Sequence, residues 1–183
     1  MRLLRRVRYR FKQGILALLS RFRHVNIGEA AEVLSPSLLA LFMRMRRAEQ
    51  QHCLRVMRYL RRRGHTNPHL LTAALLHDVG KTRCHYTLLD RTLVVLMSGL
   101  FPRLAHRWGE FDALNGDRPH GWRRPFVVAR MHSTWSAEDM LAAGASPMAV
   151  ALACRHDEDL DSQPLETEED RLLHLLQVAD NQN

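Results

Sequence analysis

Residues 71–81 read Leu-Thr-Ala-Ala-Leu-Leu-His-Asp-Val-Gly-Lys, and this run limits the possible folds more than any other part of the chain. An apolar helix that carries His77 and Asp78 side by side into an interior must give them a partner. Desolvating an unpaired imidazole and carboxylate costs several kcal/mol. A divalent metal is the economical partner, and His52, His132, His156 and Asp180 stand at separate places from which a fold can supply further ligands.

The rest of the chain is compatible with a helical domain. Its 183 residues suffice for one sizeable core, with 46% hydrophobic and 25% charged residues. Leu, Ala, Arg and Met dominate and Gly is sparse, which predicts a mostly helical fold. The net charge of +8 is unevenly spread. Residues 1–63 hold sixteen Arg or Lys against Glu29, Glu32 and Glu49, whereas residues 156–183 hold nine Asp or Glu against Arg171. A basic half of this kind suits nucleic acid, an anionic membrane surface or a phosphorylated substrate; alternatively the two ends attract each other or stay solvated. Cys53, Cys84 and Cys154 are odd in number and widely spaced, which argues against a disulfide framework and for a reducing compartment. The basic start lacks a cleavage site, and the uncharged stretches are shorter than a membrane span. A cytoplasmic protein, at most peripheral at the membrane, is expected.

Residues 1–23 form a predicted basic amphipathic helix with Leu4, Val7, Phe11, Ile15, Leu18 and Phe22 at helical spacing. It belongs to an expected amino-terminal extension, 1–35, packed on a domain that spans 36–183. Ser35-Pro36 opens the next helix. An Arg-rich helix over 44–63 follows, with Met45, Ala48, Val56 and Leu60 as its apolar stripe and Gly64 as its end. Asn67-Pro68 starts the helix of the His-Asp doublet, which Gly80 stops. Residues 86–107 are predicted to be one helix, and 108–125 a loop. His132 should sit just before a helix from Ser136 to Ala143, and Ser146-Pro147 should cap a helix that reaches His156. Thr167 caps the last helix, which carries three acids in its first turn and ends at Asp180.

His52 lies four residues from both Ala48 and Val56, and Asp180 four from Leu176, so both fall on apolar stripes. A carboxylate on such a face is uncommon without a partner. Mixed imidazole and carboxylate ligation suits Mn, Fe, Zn or Ni, and no thiolate set selects zinc. The only two lysines are Lys12 and Lys81 among 25 arginines. Lys81, directly after the doublet, is therefore a candidate phosphate contact, and Arg55, three residues after His52, a second one. The other histidines (His24, His65, His69, His85, His106, His120 and His174) show no comparable pattern and are read as surface, capping or core residues.

His52, the doublet in Leu-Leu-His-Asp-Val-Gly-Lys, and Asp180 in Gln-Val-Ala-Asp resemble the H…HD…D signature of HD-domain metal-dependent phosphohydrolases. The resemblance covers roughly residues 45–183. It implies an all-helical bundle that binds one or two divalent ions (Mn, Fe, Zn, Ni or Mg). It further implies hydrolysis of a phosphomonoester or phosphodiester, nucleotides included, by metal-activated water. His132 in Met-His-Ser-Thr-Trp and His156 in Arg-His-Asp-Glu are similar to the two extra histidines of the HDIG-like branch. By that resemblance one ion uses His52, His77, Asp78 and Asp180, while the other uses Asp78 as a bridge with His132 and His156. Catalytic roles fall to Asp78 and Lys81, and substrate contacts to Lys81 and Arg55.

Three departures narrow the resemblance. Asp157 stands where many relatives have a second His, and either ligates or is an exposed helix-end acid. Ala48 replaces a glutamate found in some cyclic-di-GMP phosphodiesterases, and their Gly-Tyr-Pro element is missing, so a generic phosphoester is the expected substrate. The alternative is a regulatory or binding module. There the metal site is structural or nucleotide-sensing, and the basic half docks on membrane or nucleic acid.

Overall fold

The computed structural model describes residues 25–110, 121–158 and 165–183. Among these the regular structure is helical throughout. The helices are α1 (Ile27–Ala31), α2 (Pro36–Arg44), α3 (Arg47–Arg62), α4 (Pro68–Leu76), α5 (Leu88–Leu100), α6 (Pro102–Trp108), α7 (Arg124–Ala142), α8 (Pro147–Arg155) and α9 (Glu168–Gln182). A 3-10 turn at Val79–Arg83 follows α4. The helix expected over 1–23 lies outside the described residues.

α4 is the centre of the bundle. Leu70, Leu71, Ala73, Ala74, Leu75 and Leu76 are all buried, as expected of a helix that is apolar on every side. α3, α8 and α9 pack around it. Its start is set by Asn67, whose side chain accepts from the amides of His69 (2.9 Å) and Leu70 (3.2 Å), with Pro68 in the first turn. α7 lies against α8 and against the 3-10 turn, and the α5–α6 pair leans on α7. Capping boxes open α5 (Thr87 with Asp90) and α9 (Thr167 with Asp170). Gly64 closes α3 at φ +83°, a left-handed conformation that favours glycine.

Several expected boundaries move. The Arg-rich helix begins at Arg47, because Met45 and Arg46 take extended conformations between α2 and α3. The doublet helix ends at Leu76, and Gly80 lies inside the 3-10 turn. The segment 86–107 is two helices broken at Phe101, where Pro102 cannot supply an amide to continue the first. Within 108–125, Trp108 ends α6 and Arg124 begins α7, while 111–120 lies outside the described residues. His132 sits in the middle of α7 and not ahead of it. The last helix runs on past Asp180 to Gln182.

Part of the basic half is neutralised locally. Arg58 grips Glu29 with two hydrogen bonds (2.6 and 2.8 Å) and Arg61 reaches Glu32 (3.0 Å), which ties α1 to α3. No helix among the described residues is long and apolar enough to cross a membrane.

One stability test arises at the start of α5. Asp90 accepts from the Thr87 amide (2.7 Å) and hydroxyl (2.8 Å), and Arg124 of α7 lies at 3.3 Å. Burial by itself raises the Asp90 carboxyl, but the two Thr87 bonds and the Arg124 charge outweigh it and hold the group below its ordinary value of 3.8. A folded-state value below the unfolded one stabilises the protein above about pH 4, and the gain is lost as the pH falls through the folded value. Asp90→Asn should therefore cost about 1 kcal/mol at pH 7. The difference should shrink below about pH 3, as read by urea unfolding at both pH values.

Candidate metal centre

Five helices and the 3-10 turn deliver the ligand candidates to one place. His52 comes from the middle of α3, His77 caps the end of α4, and Asp78 leads into the 3-10 turn. His132 comes from α7, His156 caps the end of α8, and Asp180 lies in the last turn of α9. His52 Nε2 and Asp180 Oδ1 are 2.7 Å apart, and His77 Nε2 is 3.7 Å from the same oxygen. The Asp78 carboxylate is shared between two groups. Its Oδ2 faces His77 Nε2 at 3.9 Å, while its Oδ1 faces His132 Nε2 at 3.5 Å and His156 Nε2 at 3.9 Å. The imidazoles form an edge-to-face chain, with centroids at 5.6 Å (His52–His77), 4.9 Å (His77–His156) and 5.2 Å (His132–His156).

Three of these rings are oriented in the same way by their own helices. Nδ1 of His77, His132 and His156 lies 3.2, 3.0 and 2.7 Å from the carbonyl oxygens of Ala74, Ala129 and Ala153, each three residues earlier. A carbonyl only accepts, so each Nδ1 carries the proton and donates it. Nε2 of the neutral ring is then left with a lone pair directed into the site, the tautomer a metal ligand requires. His77 Nε2 is fully buried and has no hydrogen-bond partner. An orphaned acceptor enclosed by carboxylates and other imidazoles fits a divalent cation, and two ligand groups meet the requirement: His52, His77 and Asp78, and Asp78, His132 and His156.

The charges are arranged accordingly. Burial alone raises the Asp78 carboxyl, yet Lys81 and the imidazoles of His77, His132 and His52 hold it well below its ordinary range. Asp180 is likewise depressed, because the hydrogen bond and charge of His52 outweigh its burial. His132 is pushed down to about 3, first by burial and then by the nearby Lys81, so it is neutral at physiological pH. Burial and then the Asp78 charge push the Cys53 thiol well above its ordinary value. It stays protonated and contributes no thiolate to the site.

The 3-10 turn is fixed by close contact with α7. The Gly80 amide donates to Ser136 Oγ (2.8 Å), and no side chain fits at position 80. Lys81 Nζ donates to Asp78 Oδ1. The site opens into a cavity of about 320 Å³ whose wall includes Lys81, Arg55, Arg46 and Arg91, with Tyr86, Val94 and Val95 as its apolar part. Five of the six sequence-predicted ligands, with Lys81 and Arg55, therefore line one cavity, and His77 is buried beside them, 3.7 Å from Asp180 and 3.9 Å from Asp78. His69 bonds Ser146 Oγ (2.7 Å), and His85 is exposed; neither lines the cavity.

Sequence reasoning missed Glu49, Arg91, Arg46 and Tyr86. Arg91 of α5 bonds buried Glu49 of α3 (2.8 Å) and lies over the Tyr86 ring, 5.5 Å from its centroid; Arg46 donates to the Tyr86 carbonyl (2.7 Å). Only Glu49 left a signal, being three residues before His52 and so on the same helical face.

The model of the HD-domain family matches residues 50–182, and the chain belongs to that family, whose members are generally metal-dependent hydrolases. No curated protein and no solved structure matches the chain.

Proposed function

We propose that the protein is a metal-dependent phosphohydrolase that cleaves a phosphomonoester or phosphodiester. The observation that carries this reading is the buried His77 Nε2, without a hydrogen-bond partner, amid His52, Asp78, His156 and Asp180, four residues that line a cavity walled by cationic side chains. His52, His77, Asp78 and Asp180 would hold one ion, and Asp78, His132 and His156 a second. Such ions supply Lewis-acid charge to phosphoryl oxygens and make water a nucleophile near neutral pH. The chain's own contribution is positioning. Asp78 presents one oxygen to each ligand group, and the carbonyl-bound imidazoles hold their donor atoms in place. Lys81 and Arg55 offer charge to a phosphate at the cavity wall, and Val94 and Val95 contribute apolar surface to the same cavity.

Elemental analysis of the purified protein, combined with turnover of an aryl phosphate and a bis-aryl phosphodiester in Mn²⁺, tests the reading. Stoichiometric divalent metal and measurable turnover support it. Absence of both, with salt-sensitive binding of vesicles or nucleic acid that survives His77→Ala, would favour the regulatory module instead. A ligand that binds only the folded chain also stabilises it. At about 100 times its dissociation constant Mn²⁺ should raise Tm by about 5–10 °C, a shift that chelator reverses in a thermal melt.

A further inference from the structure

α5 turns one face to the cavity and the opposite one to solvent, and leucines crowd the exposed side. At about 100° per residue, Arg91, Val94 and Val95 share one side of the helix, and all three line the cavity. Leu89, Leu93, Leu96 and Leu100 follow one another at intervals of four, three and four residues on the other side. These four are between 43% and 80% exposed, and Phe101 and Leu104 carry the exposed apolar surface onto α6. A leucine stripe is what a helix ordinarily buries. An apolar patch left open, with charge at its edge, marks an interaction surface.

The charges beside this face select the partner. Arg103 and Arg107 flank Leu104 on α6, and both are exposed. Arg123 is exposed at the far end of α6, where it donates to the backbone carbonyls of Arg107, Trp108 and Glu110 (3.1, 3.3 and 3.2 Å). Carbonyls leave its positive charge intact. Trp122 next to it is 63% exposed, with its ring edge-to-face on Trp108 at 5.1 Å. Within α5 and α6 the only acid is Asp90, which Thr87 and Arg124 hold. Glu110, just past α6, lies 3.8 Å from His106. Two copies of a chain of net charge +8 repel each other, whereas acidic lipid headgroups attract such a face. Leucine beside arginine, with tryptophan at the margin, is the composition of helices that lie in a bilayer interface.

We propose that the α5–α6 face docks on an anionic lipid bilayer, with its leucines among the acyl chains and its arginines at the headgroups. This surface is separate from the basic amino-terminal half, and the proposal does not depend on the metal-centre reading. Because the other face of α5 walls the cavity, docking brings that wall within one helix diameter, about 10 Å, of the bilayer.

Cosedimentation of the full-length protein with phosphatidylcholine vesicles, with and without phosphatidylglycerol, tests this. Binding is expected only when phosphatidylglycerol is present, and it should weaken as salt rises. Leu96→Gln combined with Leu100→Gln should weaken it by at least about 10-fold, and Arg103→Gln combined with Arg107→Gln by about 10-fold. Glutamine is a good helix former and the replaced side chains are exposed, so the fold should persist, as circular dichroism will show. Binding that both pairs of substitutions leave unchanged would overturn the proposal and move the contact to the amino-terminal half. Absence of binding to either vesicle would overturn it as well. So would a dimer in sedimentation velocity that the leucine pair dissociates while lipid stays unbound, since the face would then join two copies of the chain.

Discussion

Asp78→Asn is expected to weaken both ions together, by at least about 10–100-fold in affinity, the loss that even indirect perturbation of a ligand shell produces. Hydrolysis should fall by about 10³-fold or more, since the substitution removes the charge shared by both ligand groups. Among the described residues it alone belongs to both ligand groups: Oδ2 lies towards His77 and Oδ1 towards His132 and His156. The amide keeps the shape of the side chain but leaves Lys81 Nζ without its carboxylate, so the apo protein should lose stability as well. Metal content, Mn²⁺ titration and phosphodiester turnover on the same preparation check this, with circular dichroism confirming the fold. Retention of both ions and of activity would contradict the bridging role.

Gly80→Ala should be the most damaging single methyl in the described chain. A Cβ there would stand 2.2 Å from the His132 carbonyl oxygen, 2.7 Å from the Ser136 amide nitrogen and 2.8 Å from Trp135 Cβ. Two of these are backbone atoms of α7 and cannot swing aside. Relief requires the 3-10 turn and α7 to separate, which breaks the bond from the Gly80 amide to Ser136 and moves Asp78 away from His132. A cost of about 3 kcal/mol or more follows from overpacking against a rigid neighbour, with metal affinity falling in parallel. Denaturant unfolding of the apo protein gives the first quantity and Mn²⁺ titration the second. A variant as stable as wild type would show that the turn and helix are not in contact as described.

The ligand positions could be read from the chain because each is a chemically unusual residue at an identifiable helical place. His52 and Asp180 interrupt apolar stripes, and the doublet ends an apolar run. The extent of α7 was hidden for a physical reason. It is buried on several sides, with Val127, Val128 and Trp135 clustered with Tyr86, Phe126 against Trp108, and Met140 in the main core, so no amphipathic period announces its start at Arg124. The break at Phe101–Pro102 was legible in principle from the proline; the apolar run at 93–97 masked it. The Glu49–Arg91 pair joins residues 42 apart in the chain, a distance over which local pattern carries no information. Asp157 was ambiguous for a similar reason: its meaning depends on which side chains from α7 and α8 face it.

The carbonyl anchors on His77, His132 and His156 have one more consequence. Each ring is locked by the helix that bears it, so the donors are aligned before any ion arrives and are not gathered by it. In small zinc modules, by contrast, the cargo folds its own container. A receptacle built in advance can be emptied and refilled without collapse, so the identity of an ion bound here would follow the supply around it as well as the ligands within it.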